Sequence, residues 1–514
     1  MVEPRSTSPT PPLSPLKRNI AANFASSIWQ VILGLALIPL YIQFMGIESY
    51  GLIGVFVTLQ VLFGLFDAGL GTTLNREMAR RSALPHQEQE MRNLVRTLET
   101  LYWGISIAVG GIVVFLSPIL AHHWIHAGQL PPRTVEEALF IMGFIMMFLM
   151  PVGFYSGGLM GLQKQVLLNA VTIVMNTIRD VGALLILWLI SPTIQAFFLW
   201  QSLVTAVHAF LLAFCLWRRL PRGETKAVFQ KQLLHGIWRF SAGMSGIAIL
   251  GTILTQMDKV VVSKILSLEM FGYYMLASTV AMSLVRLFTP VFLSIYPRLT
   301  QLVSLNDQEG ITELYHKSSQ LIAVLILPVA IVIAFFSYEV ILLWTHNQAT
   351  AEKTHLILSI LICGTALNGL MHPPYALQLA HGWTQLSLFK NIIAVPFLVP
   401  LMLYAATRFG AAGAASMWLL LNVGMFFFEI PIMHRRLVRN EMWHWYWRDV
   451  SVPLAACVVV AGIGRIFTKE PMSYLLILQY LMIISVLTFG IAVIATPVAR
   501  SRLIGRLLKI GPVS

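Results

Sequence analysis

Fourteen apolar stretches succeed one another along the chain, each closed by polar or turn residues. Each is close to the length of about 20 residues that an α-helix needs to cross a hydrocarbon core of about 30 Å. The runs cover 20–44, 50–74, 99–121, 137–160, 167–190, 195–217, 237–263, 269–296, 318–343, 355–380, 386–406, 412–433, 450–467 and 474–497. With 57% of residues hydrophobic and 11% charged, no water-soluble fold could cover the apolar surface. The fold class expected is therefore an all-α polytopic membrane protein of about fourteen transmembrane helices.

An even number of crossings puts both ends on one side, and the basic residues say which. With the N-terminus inside, 26 of the 35 Lys and Arg residues fall in inner segments and 7 in outer ones, Arg179 and Arg286 being the other two. Such an excess marks the cytosolic face, so both termini are expected in the cytosol. The net charge of +13 is then mainly a signal of topology, with some attraction to anionic membrane lipids. The basic residues form no tract interleaved with aromatics, so no nucleic-acid partner is expected.

The two halves repeat. Phe24 and Phe240, Gly51 and Gly272, Arg76 and Arg298, Gly161 and Gly382, and Asn169 and Asn391 stand in matching local contexts, 216 to 222 residues apart. Six helices separate equivalent positions, so the halves share one orientation about an axis along the membrane normal. The domain reading is a disordered cytosolic tail (1–18), a six-helix lobe (19–217), a linker (218–236), a second six-helix lobe (237–433), a linker (434–449), two further helices (450–497) and a basic tail (498–514).

Catalytic chemistry has little to stand on. No phosphate-cradling P-loop, H-E-x-x-H, G-x-S-x-G or C-x-x-C occurs. Cys215, Cys363 and Cys457 lie inside apolar runs without metal-ligand spacing. No metal site and no cofactor are expected, and the longest outer connection, about His122 to Glu136, is too short for a catalytic domain. The chain reads as a mover of molecules, not an enzyme.

Ionisable residues inside the membrane cost about 2.5 to 3.5 kcal/mol each on insertion scales, so they mark cavities or partners. Asp67, among small residues in the second run, is a candidate for coupling or gating, or a structural carboxylate. Arg179 and Asp180 sit midway along the fifth run; adjacent helical positions point about 100° apart, so the two are expected not to pair. Arg179 and Arg286 are the candidates for binding an anion, with Asp180 a coupling candidate and a structural pair between Arg179 and Asp67 or another carboxylate the alternative. Asp258 and Lys259 line an outer vestibule, or Lys259 snorkels to the surface. Glu429 is a coupling candidate or, more simply, an ion pair with the nearby His434-Arg435-Arg436 cluster. Arg76, Arg80 and Arg81 lie on a cytosolic helix broken near Pro85, either as plain topology signals or where an anionic lipid head group enters.

Asn23-Phe24, Trp29-Gln30, Tyr50-Gly51-Leu52, Leu59-Gln60, Phe66-Asp67-Ala68-Gly69-Leu70 and Arg76-Glu77-Met78-Ala79-Arg80 together resemble the polysaccharide-transporter branch of the multidrug/oligosaccharidyl-lipid/polysaccharide flippase superfamily. So do Met257-Asp258-Lys259, Phe271-Gly272-Tyr273-Tyr274 and the stretch from Pro374 to Thr384. The resemblance implies two six-helix lobes around a central cavity plus two C-terminal helices. It also implies a lipid-linked oligosaccharide substrate on an undecaprenyl pyrophosphate carrier, flipped to the periplasmic leaflet of the bacterial inner membrane by alternating access. The partners it suggests are a polysaccharide polymerase and a chain-length regulator, with H+ or Na+ as coupling ion. A lipid II flippase, a drug antiporter and, from another class, a polysaccharide polymerase or ligase are the rival readings.

Overall fold

The computed structural model describes residues 15–65, 70–82, 84–468 and 473–497, and every regular element among them is helical. Two compact units divide the chain at Ile249/Leu250.

In the first unit, α1 (Pro15–Gly64) is two helices joined at Gly46, whose φ of 80° no helix contains. Its first turn lies within the stretch read as the N-terminal tail. There follow α2 (Leu70–Ser82), α3 (Glu88–His123), α4 (Pro132–Gly161), α5 (Gln165–Leu189) and α6 (Ile194–Arg219), after which α7 (Lys231–Ile265) carries the chain into the second unit. The break expected near Pro85 is present between α2 and α3. The α3–α4 packing depends on two glycines. A Cβ on Gly110 would sit 2.5 Å from the Gly143 carbonyl, and one on Gly143 would sit 2.8 Å from the Gly110 carbonyl. Small residues let the two backbones touch, the usual device where lipid supplies no hydrophobic drive between helices. Glu99 of α3 is buried in the apolar core of this unit, accepting from Tyr155 Oη (2.7 Å), Trp217 Nε1 (3.1 Å) and Arg96 (3.0 Å).

The second unit repeats the plan with extra interruptions. It holds α8 (Leu268–Ser283), α9 (Val285–Ser304), α10 (Gln308–Phe335), α11 (Ser337–Thr345), α12 (Gln348–Leu370), α13 (His372–Ala380) and α14 (Gln385–Leu437). α3 and α10 begin 220 residues apart, as do α5 and α14. Runs read as single helices at 269–296, 318–343 and 355–380 are each broken once, at Leu284, Phe336 and Met371. α14 merges two of the expected runs around Gly410, with φ 61°. A Cβ on Gly413 would run into the Ala405 carbonyl. In a straight helix eight residues span about 12 Å, so the chain reverses there. The unit ends with α15 (Met442–His444), a π-helical turn (Trp445–Ser451), α16 (Val452–Phe467) and α17 (Tyr474–Ala495).

Helix starts are capped as their sequences direct. Thr193, Ser267, Asp307, Asn347 and Ser473 each accept a backbone N–H three residues on. Eleven helices among the described residues are long and apolar enough to cross a membrane. Two of these, α1 and α14, each contain a non-helical glycine where two expected runs meet. The chain is a multi-pass membrane protein, and its outer surface agrees: Phe115, Ile190, Phe428 and Ile466 stand mostly exposed, as lipid-facing side chains must.

Candidate functional site

Three helical faces in the first unit enclose a polar cavity of about 180 Å³. α4 contributes Leu149, Val152 and Ser156, α5 contributes Thr172, Met175, Asn176 and Arg179, and α6 contributes Val204, Thr205 and His208. Each set is spaced by three or four residues, apart from the neighbours Met175/Asn176 and Val204/Thr205, so each forms one stripe of its helix. A larger cavity of about 420 Å³ adjoins it, sharing Leu149 and Ser156 and bounded by Gln60, Phe63 and Gly64 of α1, Gly71 and Asn75 of α2, and Gly153 and Gly157 of α4.

Arg179 is the cation of this site, half-buried, with Nε donating to Asp180 Oδ1 at 2.9 Å. This corrects the expectation that neighbours on a helix do not pair. The Cβ atoms do diverge, but the long guanidinium arm folds back to the next residue. Only one of the five N–H donors is used this way, and among the described residues the terminal amino groups have no other partner. The backbone behind Arg179 is held from two sides: Tyr41 Oη of α1 donates to the Asp180 carbonyl (2.6 Å), and Trp200 Nε1 of α6 donates to the carbonyls of Ile178 (3.1 Å) and Arg179 (3.2 Å). His208, across the cavity, is buried and its Nε2 has no hydrogen-bond partner among the described residues. Asp67 lies outside the described residues.

The second unit carries a polar seam instead. Asn422 of α14 accepts from Asn368 of α12 (2.9 Å) and donates to the Trp418 carbonyl (2.8 Å), while Trp418 Nε1 donates to Thr365 (3.2 Å). One helical face further on, buried Glu429 accepts from Lys390 Nζ (2.8 Å) and Gln378 Nε2 (2.9 Å). The ion pair expected with the His434-Arg435-Arg436 cluster is therefore replaced by one with Lys390, on the other half of α14. His434 turns elsewhere, to the Ile430 carbonyl and Tyr315. Glu429 and His208 are 221 residues apart and so occupy equivalent places in the repeat.

The remaining candidates are placed as follows. Asp258 is buried and accepts from Tyr274 Oη (2.6 Å) and from buried Lys259 Nζ (3.3 Å), so the two charges neutralise each other inside the second unit. Arg286 is exposed at the first turn of α9, beside the interruption at Leu284, and has no hydrogen bond or ion pair among the described residues. Arg80 is exposed and pairs with Glu77 at 2.7 Å. Arg81 is buried, held by Glu77 and by Glu90 across the α2–α3 break. Arg76 is exposed.

Two carboxylates are not singled out by the sequence. Glu48, just after the Gly46 turn, is buried and accepts three backbone N–H groups, from Gly128 (2.6 Å), Gln129 (2.9 Å) and Leu130 (2.9 Å). Its repeat equivalent Glu269 instead binds Lys353 Nζ (3.0 Å) and Tyr273 Oη (3.1 Å). The 221-residue offset between the two is visible in the sequence; what each one binds is not.

Comparison with known proteins places this geometry. A Shigella flexneri protein assigned as an O-antigen transporter is 20% identical over 379 residues, 73% of this chain and 87% of its own. The structure of the lipid II flippase MurJ in an inward closed conformation matches with a TM-score of 0.68 at 14% identity, covering 92% of this chain and 98% of MurJ. An inward-facing multidrug transporter of the MATE family, in the MOP superfamily, matches with a TM-score of 0.64 at 14% identity, covering 82% of this chain and 98% of its own. The fold is thus that of MurJ and the MATE transporters, and with residues 16–303 matching the model of the polysaccharide biosynthesis protein family, the chain belongs to that family.

Proposed function

We propose that the protein is a flippase that carries an undecaprenyl-pyrophosphate-linked oligosaccharide, an O-antigen or exopolysaccharide repeat unit, from the cytosolic to the periplasmic leaflet of the bacterial inner membrane by alternating access. Both termini then face the cytosol, with Arg76 and Arg80 exposed where the substrate enters. The observation that carries the reading is Arg179: a cation with unused N–H donors in a polar cavity, in a chain of a polysaccharide biosynthesis family. A pyrophosphate there gains charge-assisted hydrogen bonds that offset its desolvation. With the cytosol negative, moving two negative charges outward is favoured by about 4.6 kcal/mol per 100 mV. H+ or Na+ as a coupling ion, and delivery of the flipped unit to a polymerase and chain-length regulator, belong to the same proposal.

The test is complementation of a deletion strain. Arg179→Ala and Arg286→Ala should each abolish surface polysaccharide at normal protein levels, while lipid-linked oligosaccharide accumulates in the cytosolic leaflet. The sugar on that lipid separates a polysaccharide substrate from lipid II. Full display by both variants would overturn the assignment of these arginines.

A further inference from the structure

Where α14 ends, Asn440 turns the chain with φ 71° and presents Glu441 and, one helical turn on, His444 to the first turns of α10. There His316 Nε2 lies 3.0 Å from Glu441 Oε2, and His444 Nδ1 lies 3.6 Å from the same oxygen. All three ligand atoms fall within 4.8 Å of one another. In a tetrahedral site with bonds of about 2.05 Å, ligand atoms are about 3.3 to 3.4 Å apart, and the separations of 3.0 and 3.6 Å bracket that value. The His316–Glu441 contact would serve as a hydrogen bond alone, but His444 is too far from Glu441 to make one and its ring still faces the His316 ring at 4.3 Å between centroids.

The surroundings of His316 are those of a held ligand. Its other nitrogen, Nδ1, is bonded to Asp449, which is fully buried and also accepts from Gln320 Nε2 at 2.8 Å. A carboxylate behind a histidine fixes the ring and directs the free nitrogen outward, the arrangement found behind metal-bound imidazoles. Asp449 reaches His316 from the π-helical turn Trp445–Ser451. Such turns are uncommon in helices and concentrate at functional sites.

We propose that His316, Glu441 and His444 bind a divalent transition-metal ion, zinc by their ligand set, with water completing the tetrahedron. Two imidazoles and one carboxylate suit zinc and do not suit magnesium or calcium, which take oxygen ligands. The ion would fasten the segment ahead of α16 onto α10 and so hold the last two helices to the second unit. In the orientation proposed above it meets the cytosol, but the site does not depend on the transported substrate.

The experiment uses the full chain in detergent, purified through a tag free of histidine, stripped with chelator and titrated with zinc. Wild type should bind ~1 zinc per chain with a tight phase, and Co2+ at the same site should give the intense visible bands of tetrahedral cobalt. His444→Ala and Glu441→Gln, both on part-exposed residues, should each lose that phase. Asp449→Asn should weaken it about 10- to 100-fold. Zinc should also slow tryptic cleavage at Arg435, Arg436 and Arg439 in wild type and not in His444→Ala. Absence of the tight phase in wild type would overturn the proposal, as would its full retention in His444→Ala and Glu441→Gln.

Discussion

Glu48 and Glu269 occupy one position of the repeat but hold different donors, so the same substitution should have unequal effects. Glu48 has three backbone N–H groups and no counter-ion among the described residues: Oε1 serves Gly128, and Oε2 serves Gln129 and Leu130. In Glu48→Gln the amide oxygen can replace only one of these oxygens. Its best placement faces Gln129 and Leu130, which leaves the amide NH2 against the Gly128 N–H, donor to donor. One charge-assisted bond worth about 1.5 to 3 kcal/mol is lost, and two others fall to neutral strength at about 1 kcal/mol each. Gly128 and Gln129 are exposed, so water relieves part of this, leaving about 3 kcal/mol. In Glu269→Gln the amide oxygen still accepts from Tyr273, and the lost ion pair is with Lys353, whose side chain is 48% exposed. Exposed pairs are worth about 0.2 to 1 kcal/mol.

For a unit of this size about 2 °C accompanies each kcal/mol. Glu48→Gln should therefore lower the apparent Tm by about 6 °C, and Glu269→Gln by about 2 °C or less. Tryptophan fluorescence of the detergent-solubilised protein would read this at one fixed scan rate, so that any irreversible step bears on both variants alike. Cleavage in the 124–131 connection should speed up only in the Glu48 variant. Equal shifts for the two, or none for Glu48→Gln, would refute the assignment of its stability to the three backbone donors.

Lys390→Met should destabilise by about 3 to 5 kcal/mol, because Glu429 is left buried with Gln378 as its only partner among the described residues. Adding Glu429→Gln should restore most of the loss, and a double-mutant cycle on detergent stability measures it. His208→Leu should leave stability unchanged or raise it, because it removes a buried unpartnered nitrogen. Polysaccharide display should nevertheless fall, and normal display would remove His208 from the site.

The features legible in the sequence are those set by residues near one another in the chain. The apolar runs, the gaps between them at 45–49 and 407–411 and the Pro85 break are all local, and the repeat offset relates one half to the other. Partners are chosen laterally, by which helix face packs against which, and hydropathy contains no such information. Lys390 reaches Glu429 across 39 residues although Arg435 and Arg436 are nearer in the chain, and Glu441 and Asp449 meet His316 from more than 120 residues away. What the sequence does establish is that a charge in the membrane must find a partner. Among the described residues that demand is met for Asp258 by Lys259 and Tyr274, for Glu429 by Lys390 and Gln378, and for Asp180 by Arg179. It is left unmet at the terminal amino groups of Arg179, at Nε2 of His208 and at Arg286. Packing alone does not account for polar groups kept in that state, and two of the three line one cavity. Hydrogen-bonding capacity left over after the folded chain has satisfied itself is what an anionic substrate would use. Among the described residues, the mid-membrane candidates that keep it are Arg179 and Arg286.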